Sequence, residues 1–590
     1  MLKACSGVQR GRRMYAAGRT ELEMKLTHCA LARGRACGRM VRVKNLSSIC
    51  VSIAALLLAG CGDSRSSAEK AAEQGILIVG NNQEPLSLDP HKATAVADGK
   101  IIAALLEGLV RPDAKDETII HPGMAERWEH NADASEWVFY LRDAVWSDGK
   151  PVTAHDFVYA YKRLLHPEFG GKYAEMLYPL AGAESFNRGQ CAWEQVGVQA
   201  MDARTLRLRL TGPTPHLLHL LLHFTWCPVP AHAVEAHGGM LDRRSLWSRV
   251  GNWVGNGAYV LDSHHFNDYL FVAANPRYWR AAGVQNRGIR FLPIVNGYTE
   301  TRMFMDGKLH ITNNVPPELL GVARRQRPDA YCQDAYYCTI FYRLNTQRPP
   351  LDDVRVRRAL SLAIDRESLV RDVVRGAGRP ATSFTPPGAG YEVQVAAAYG
   401  RRQRPGNPPR RLQAEQARRL LAEAGYPEGK GFPTLEIMTT SRDVQRVMAE
   451  TIQAMWQKEL GIHVEIRACE WTAYKAAQQN GEYDISSSSW SGDYLDPATF
   501  VELWRSGGGN NCTGWGSPAC DAALAAARTT GSAEERRAHL RQAEQLMLES
   551  QPVIPLYWSE RTYLKSPAVS GWYPLLLDNH PLDAVKVNRK

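Results

Sequence analysis

Apolar and polar residues are distributed along the C-terminal half of the chain in a pattern that predicts alternating helices and strands. Apolar and small residues recur at helical spacing over 414–421, and a second helix is predicted from a capping Ser441 to Leu460. Short strand-like runs lie at 435–438 and 463–468. This alternation is typical of α/β domains with a parallel sheet, in which ligands bind beyond the carboxyl ends of the strands.

The segment 490–500, WSGDYLDPATF, follows a predicted strand and is a candidate ligand contact. Asp493 comes after an aromatic residue and a glycine, so it can present an acceptor-only carboxylate beside a flat apolar surface, as an ammonium group requires. The alternative is a turn aspartate beside a core tryptophan, because Asp-Tyr and Asp-Pro pairs are common in turns. The rest of the chain is needed to decide between the two interpretations.

Length and charge limit the possible functions. A chain of 590 residues is too long for one hydrophobic core and indicates about two to four domains. The formal charge is +10, but residues 1–60 hold eleven Lys and Arg against two acids, so nine of the ten net charges lie there. The remainder is nearly neutral, which argues against nucleic acid as a partner.

The N-terminal region has the features of an export signal. A basic segment after Met40 is followed by an apolar run over 49–58 and by Leu-Ala-Gly-Cys, ending at Cys61. This pattern resembles the lipobox of bacterial lipoproteins, which implies that Cys61 is the lipidated residue. We therefore expect a non-structured extension over 1–39, a signal peptide over 40–60 and a lipidated tether over 61–75.

Cysteine usage gives no indication of a metal or cofactor. Seven cysteines follow Cys61, an odd number, so at least one is unpaired. Export would place them in an oxidising compartment, where Cys512 and Cys520 are a candidate disulfide pair around a Gly-Trp-Gly loop. The chain has no Cys-x-x-Cys pair, and we predict no metal and no cofactor.

Several short motifs, in order along the chain, resemble one known family. They are Trp146-Ser147-Asp148-Gly149, Asp156-Phe157-Val158-Tyr159, Asn256-Gly257-Ala258-Tyr259, Asn275-Pro276-Arg277-Tyr278-Trp279, Pro349 to Arg357, Ala363-Ile364-Asp365-Arg366 and Thr385-Pro386-Pro387. Together they resemble the extracytoplasmic solute-binding proteins of peptide ABC importers (family 5). The resemblance extends over nearly all of the chain after residue 75.

This resemblance implies a fold and a division into domains. The expected fold is the α/β, two-lobed periplasmic-binding-protein fold of type II, in the large peptide-binding subclass, with hinge closure around the ligand. Its extra domain II is expected at 107–230. The two lobes are expected at 76–106, 231–337 and 561–590 for lobe I, and at 338–560 for lobe II.

The resemblance also implies a ligand site. Asp493 would pair with the α-ammonium group of a peptide, and Trp490 and Trp471 would line side-chain pockets. The other expected ligand contacts are Tyr173, His223, Val96, Ser491 and Asn511. A peptide's constant features are its backbone and termini, so a protein that accepts many sequences should pair with the backbone as an added strand and fix the ammonium with a carboxylate.

Two departures from the family concern the far end of the site. Gln478 and Ser487 stand where family members have arginines that help to hold the peptide carboxylate, so the preferred peptide length is open. Cys338 matches a disulfide-bonded cysteine of the family, yet Ser491 stands at the partner position.

The expected function is capture of oligopeptides for a membrane permease by a monomeric, lipid-anchored protein in the periplasm or at the cell surface. Alternatives within the family are dipeptides, murein peptides, or a nickel or haem ligand. Catalysis is not expected, because His232, Glu235 and His237 do not have the spacing of a zinc peptidase motif and no Gly-x-Ser-x-Gly sequence is present.

Overall fold

The computed structural model of the protein describes residues 65–388, 390–391, 410–440 and 443–589. The predicted extension, the signal peptide and Cys61 lie outside these residues. In the described part, no helix has the length and apolar character needed to cross a membrane.

The described strands are β1 Ile76–Gly80, β2 Val110–Pro112, β3 Ile120–Pro122, β4 Ala125–His130, β5 Glu136–Leu141, β6 Val198–Ala200, β7 Thr205–Arg209, β8 Tyr259–His265, β9 Tyr269–Ala274, β10 Gly288–Leu292, β11 Tyr331–Leu344, β12 Gly378–Pro380, β13 Leu435–Thr440, β14 Val464–Cys469, β15 Ile485–Ser491, β16 Val553–Leu564, β17 Val569–Ser570 and β18 Lys586–Val587.

The described α-helices are α1 Ser67–Glu73, α2 Val96–Leu105, α3 Ala154–Leu165, α4 Ala183–Asn187, α5 Leu217–Leu220, α6 Ala231–Ala236, α7 Gly297–Met305, α8 Leu320–Gln326, α9 Val354–Leu362, α10 Arg366–Ser368, α11 Arg410–Glu423, α12 Asp443–Leu460, α13 Trp471–Gln479, α14 Ala498–Val501, α15 Pro518–Thr529 and α16 Ala533–Ser550.

Three of the sheets contain four or more strands. One has the order β1-β10-β9-β8, a second has β4-β5-β7-β6, and the third has β12-β16-β11-β15-β13-β14. In the third sheet β13 is parallel to both β14 and β15, as the alternation of helices and strands predicts, whereas β11 is antiparallel to β15 and β16. The predicted strands 435–438 and 463–468 lie at β13 and β14. The fold is α/β, with mixed rather than purely parallel pairing in this sheet.

The two long strands β11 and β16 pair along two separate stretches. The start of β11, residues 331–335, pairs with 560–564 of β16, and its end, residues 339–343, pairs with 553–558. The register shifts between Ala335 and Thr339, so the two ladders are separated by an irregular segment centred on Tyr337. A break of this kind bends and twists a strand locally. The pairing of β11 with β16 is therefore irregular at Tyr337.

The expected tether over 61–75 is wrong for residues 67–73, which form α1. Ser66 and Glu69 make a reciprocal capping box at its start. Its buried alanines occupy one face, and the Ala68 amide donates to the Gly307 carbonyl at 2.9 Å. The Ala68 carbonyl lies 3.0 Å from His310 Nε2. The helix forms because alanines at helical spacing bury a small apolar face, a signal that the polar composition of the segment obscures.

A buried ion pair joins the segment after β1 to α3. Both carboxylate oxygens of Asp89 accept from the Arg163 guanidinium, at 2.9 and 2.7 Å. Asp89 also accepts from the Trp247 indole at 3.1 Å and from the His91 amide at 3.0 Å. Both charged side chains are almost fully buried. Burial disfavours the Asp89 carboxylate, but the opposite charge and hydrogen bonds of Arg163 hold its pKa below the usual range.

We expect Asp89→Asn to lower the free energy of unfolding by about 3 to 5 kcal/mol, because it leaves the Arg163 charge buried without an anion. Urea denaturation at neutral pH measures the loss. Asp143→Asn is the matched control, since Asp143 pairs with Arg204 in an exposed position where little energy is expected. Equal losses for the two variants would contradict a stabilising role for the buried pair.

Candidate functional site

A cavity of about 840 Å³ lies between residues of the 107–230 region and residues that follow β15. On one side it is lined by Tyr173, Glu175 and Met176. On the other it is lined by Trp490, Asp493 and the loop that carries Asn510. Trp490 and Asp493, which the sequence predicts as ligand contacts, therefore lie on one wall of the cavity. Tyr173, a third predicted contact, lies on the opposite wall.

Asp493 is held in place by its backbone, while its carboxylate faces the cavity. Its amide donates to Thr499 Oγ1 at 3.1 Å, and the preceding Gly492 amide donates to the Tyr337 carbonyl at 2.8 Å. Across the described residues, the Asp493 carboxylate takes part in no ion pair. Burial raises the pKa of this carboxyl to about 7, and the negative charge of Glu175 acts in the same direction. The cavity thus presents an acid without a cation, an arrangement suited to a positively charged group.

Glu175 adds a second carboxylate to the cavity and was not predicted from the sequence. It lies in a short 3-10 turn, Ala174–Leu177, and Asn510 Nδ2 lies 3.5 Å from its carboxylate. Burial raises its pKa. Its position two residues after Tyr173 is the one sequence signal that could have suggested it. Asp493 and Glu175 are thus two acids of the cavity lining that take part in no salt bridge among the described residues.

The aromatic residues of the site form a wall and a layer behind it. The Trp490 indole Nε1 is buried and finds no acceptor in the described part of the chain. The Tyr173 ring lies 5.4 Å from the His223 ring. His223 does not line the cavity; its Nδ1 lies 2.8 Å from Thr225 Oγ1, and burial lowers its pKa to about 3. His223 is therefore a neutral support for Tyr173 in this structure.

The remaining predicted contacts lie outside the lining of this cavity. Trp471 is 58% exposed at the start of α13 and stacks on Tyr474, and Val96, also 58% exposed, begins α2. Ser491 ends β15 opposite Cys338. Asn511 is buried, and its amide nitrogen donates to the carbonyls of its own loop. Its side chain thus serves the loop structure.

Asp496 has a different environment from Asp493, three residues earlier. Its two oxygens accept from Arg536 at 2.7 and 2.9 Å, and one also accepts from the Ala498 amide at 2.9 Å. The attraction of its neighbours outweighs burial, so its pKa is lowered. Asp496 is therefore a structural acid at the start of α14, whereas Asp493 has no cation of its own.

The expected disulfide between Cys512 and Cys520 is not formed. All seven cysteines of the described residues are free thiols. Cys520 lies in α15 with its Sγ 3.6 Å from the Ala543 carbonyl in the core, while Cys512 Sγ lies 3.6 Å from Gly509 O in a loop. The two thiols point to different surroundings, which sequence proximity alone does not reveal. The described residues also contain no cluster of three or more His, Cys, Asp or Glu placed to hold a metal ion.

The architecture and cavity define the class of protein. A mixed α/β chain with several sheets and a cavity next to a strand end has the two-lobed architecture of an extracytoplasmic solute-binding protein. Residues 120–512 match the sequence model of the bacterial extracellular solute-binding proteins, family 5 middle region. The chain belongs to this family.

Relatives of known function match most of the chain. The periplasmic oligopeptide-binding protein OppA of Escherichia coli is 34% identical over 85% of this chain and 90% of its own length. The structure of the E. coli murein tripeptide-binding protein MppA has 32% identity and a TM-score of 0.77, covering 87% of this chain and 98% of its own. The structure of Haemophilus influenzae OppA in complex with the peptide RPPGFSPFR has 30% identity and a TM-score of 0.76. The match covers 87% of this chain and 99% of that structure's chain.

We expect the ligand-free protein to become less stable as the pH rises from about 4 to about 7, relative to Asp493→Asn. The folded-state pKa of Asp493 lies above its unfolded value, so the folded protein holds this proton more tightly and loses that advantage as the carboxyl ionises. Because the Asp493 side chain is partly accessible, we expect the free energies of unfolding of the two proteins to differ at pH 8 by only about 1 to 2 kcal/mol.

Thermal unfolding of the two proteins, freed of bound ligand, measures this difference at about pH 5 and about pH 8. The melting temperature of Asp493→Asn should exceed that of the unchanged protein at the higher pH and approach it at the lower one. A constant difference across this range would contradict a raised pKa. Asp143→Asn serves again as the control for an exposed acid.

Proposed function

We propose that this protein captures peptides outside the cytoplasm and delivers them to an ABC importer. The observation that carries the proposal is the Asp493 carboxylate, which faces the cavity without a cationic partner among the described residues. A peptide's α-ammonium group would supply the missing charge. Trp490 and Tyr173 would provide apolar surface on either side of the first residues of the ligand.

The family relationship supports this proposal. The relatives named above are binding proteins for oligopeptides and for a murein tripeptide. In the proposed mode the ligand backbone pairs as an added strand near the end of β15, with backbone contacts from the regions of Ser491 and Val96, and with Trp471 beside a side chain of the ligand. Recognition of the backbone and the terminus makes affinity nearly independent of peptide sequence.

We propose that two lobes form a clamp around the ligand. The extra domain II would be 107–230, lobe II would be 338–560, and lobe I would consist of 76–106, 231–337 and 561–590. Closure would bury a ligand between the wall that carries Tyr173 and Glu175 and the wall that carries Asp493. Bending at the irregular segment of β11 would permit this motion, as hinges in ligand-closing proteins are commonly a few residues at element boundaries.

The proposal extends to the location and the chemistry of the protein. We propose that Cys61 carries a lipid anchor, that the mature protein is a monomer in the periplasm or at the cell surface, and that it acts without catalysis. Radiolabelled palmitate incorporation into the unchanged protein, and its loss in Cys61→Ser, would support the anchor. Incorporation that survives this substitution would contradict it.

The ligand class is tested by denaturing the purified protein and identifying the released compounds by mass spectrometry. Linear peptides with free amino termini support the proposal, and murein peptides would specify the class further. A metal chelate or haem would contradict it. Incubation with mixed peptides tests the absence of catalysis, since efficient cleavage would show an enzyme.

We expect Asp493→Ala to weaken the binding of peptides with free amino termini by tens to thousands of times, about 2 to 5 kcal/mol, because the ammonium group would be buried without its counter-charge. Titration calorimetry measures the affinity. Binding of the same peptides after N-acetylation should change little between the two proteins.

The control variant is Asp262→Ala, which removes an exposed acid from β8. It should leave both affinities unchanged. Equal losses for free and acetylated peptides in Asp493→Ala would mean that the carboxylate does not hold the ammonium group.

A further inference from the structure

A buried carboxylate in the loop between β2 and β3 holds a distant segment of the chain. Glu117 is 7% exposed, and its side chain bonds to the C-terminal residues Leu576 and Leu577. It accepts from both backbone amides, and the Leu577 nitrogen lies 2.9 Å from one carboxylate oxygen and 3.2 Å from the other. Hydrogen bonds from two consecutive amides to one charged acceptor fix the orientation of both peptide units.

The segment that Glu117 holds, residues 575–578, is called the C-terminal loop below. Its last residue, Asp578, has a positive φ of 57° and pairs with Lys100 at 3.0 Å and with Arg561 at 3.1 Å. These ion pairs fix the end of the loop. The peptide units that carry the amides of Leu576 and Leu577 lie before that end, so their orientation depends on Glu117.

Tyr337 connects the C-terminal loop to the end of β15. It lies where the pairing of β11 with β16 is interrupted, so neither backbone group of Tyr337 has a partner in β16. Its amide donates instead to the Leu576 carbonyl at 2.8 Å, and its carbonyl accepts from the Gly492 amide at 2.8 Å. Buried backbone groups need such partners, and here both partners belong to other segments. The peptide units on either side of Tyr337 are therefore oriented by the loop and by Gly492 together.

The last member of this series is Asp493, which follows Gly492. The Asp493 carboxylate has no ion pair among the described residues, so its direction is set by the backbone that carries it. That backbone is fixed by the Gly492 amide and by the Asp493 amide, which donates to Thr499 Oγ1 at 3.1 Å. A hydrogen bond weakens steeply when its distance or angle changes, so a small rotation of this backbone is enough to weaken a bond to a ligand.

We propose that Glu117 is a positioning residue for the ligand anchor Asp493. The inference rests on the proposed peptide-binding function, in which Asp493 accepts from the α-ammonium group. Glu117 is not in the lining of the cavity; it acts through the C-terminal loop, Tyr337 and Gly492. Loss of its carboxylate frees the loop to turn and misdirects the Asp493 carboxylate. Contacts of the ligand backbone and side chains are retained.

Calorimetry on protein freed of bound ligand would compare tetraalanine with N-acetylated tetraalanine. We expect Glu117→Ala to weaken the binding of tetraalanine about tenfold, a part of what a hydrogen bond to a charged group contributes. Binding of the acetylated peptide, which has no ammonium group, should change by less than about twofold. Glu117→Gln keeps one oxygen acceptor and should weaken the binding of tetraalanine by only about threefold.

A double variant separates positioning of Asp493 from a general structural role. In the Asp493→Ala background, Glu117→Ala should cause less than about twofold further loss of affinity for tetraalanine, because the residue that Glu117 positions is already absent. A structural role that is independent of Asp493 would give additive losses.

Glu300 provides a matched control. It is fully buried and likewise accepts from two consecutive backbone amides, Asn313 at 2.8 Å and Asn314 at 3.3 Å. In the described part of the chain, neither asparagine bonds to Tyr337 or Gly492. Glu300→Ala should therefore lower stability without changing the ratio of the affinities for free and acetylated tetraalanine.

Hydrogen–deuterium exchange measures the proposed path directly. Glu117→Ala should speed exchange in the fragments that contain the C-terminal loop, Tyr337 and Gly492, and Glu300→Ala should not. Unchanged exchange at Tyr337 and Gly492, equal losses for both peptides, additive losses in the double variant, or an equal change of the affinity ratio in Glu300→Ala would each overturn the inference. If Glu117→Ala does not fold, Glu117→Gln decides the same comparisons.

The outcome for Glu117 can be distinguished from the outcome for the proposed function. Tetraalanine binding that depends on Asp493 but not on Glu117 would overturn the positioning role and leave peptide capture standing. Failure of the unchanged protein to bind any peptide would contradict the proposed function, and the positioning role would fail with it.

Discussion

The pairing of β11 with β16 is the constraint on which the position of the site depends. These long strands pair along two stretches, and their register breaks beside Tyr337. The Tyr337 carbonyl accepts from the Gly492 amide, and its ring packs against Phe500 at 4.8 Å. A Cβ at Gly492 would lie 2.5 Å from the Tyr337 ring, so a residue without a side chain is needed there. The residue next to Asp493 is thereby bonded directly to the irregular segment of β11.

Hydrogen bonds around Tyr337 connect the cavity wall to two other parts of the chain. The Gly492 amide, next to Asp493, donates to the Tyr337 carbonyl, and the Tyr337 amide donates to the Leu576 carbonyl at 2.8 Å. Asp493, the irregular segment of β11 and the C-terminal segment at Leu576 are therefore joined by backbone hydrogen bonds. The position of Asp493 depends on these bonds rather than on contacts of its own carboxylate.

Much of the fold and part of the site could be predicted from the sequence. Helical and strand periodicity located α12, β13 and β14, and the order of motifs identified the family. Asp493, Trp490 and Tyr173 line one cavity, but their roles as ligand contacts stay a prediction. The correct predictions concern short segments in which the hydrophobic pattern, the turn residues and the position of a strand end all indicate the same local structure.

Other features depend on distant parts of the chain and could not be predicted. Arg343 and Ser488 meet only because β11 and β15 pair in one antiparallel register, which no local pattern specifies. Glu175 lines the same cavity as Asp493 although more than 300 residues separate them along the chain. The free thiols of Cys512 and Cys520 follow from a helix that turns one of them into the core. Segment 67–73 is a helix rather than the expected tether for a local reason, because its charged residues conceal the alanine face in the sequence.

The two acids of the cavity carry an electrostatic cost that the described part of the chain does not relieve with a salt bridge. Burial and the negative charge of Glu175 raise the pKa of Asp493, and burial raises the pKa of Glu175. A cation of the protein beside Asp493 would remove this cost, but it would also occupy the position proposed for a ligand ammonium group. The unpaired carboxylate therefore keeps interaction energy available for a cationic group that enters the cavity.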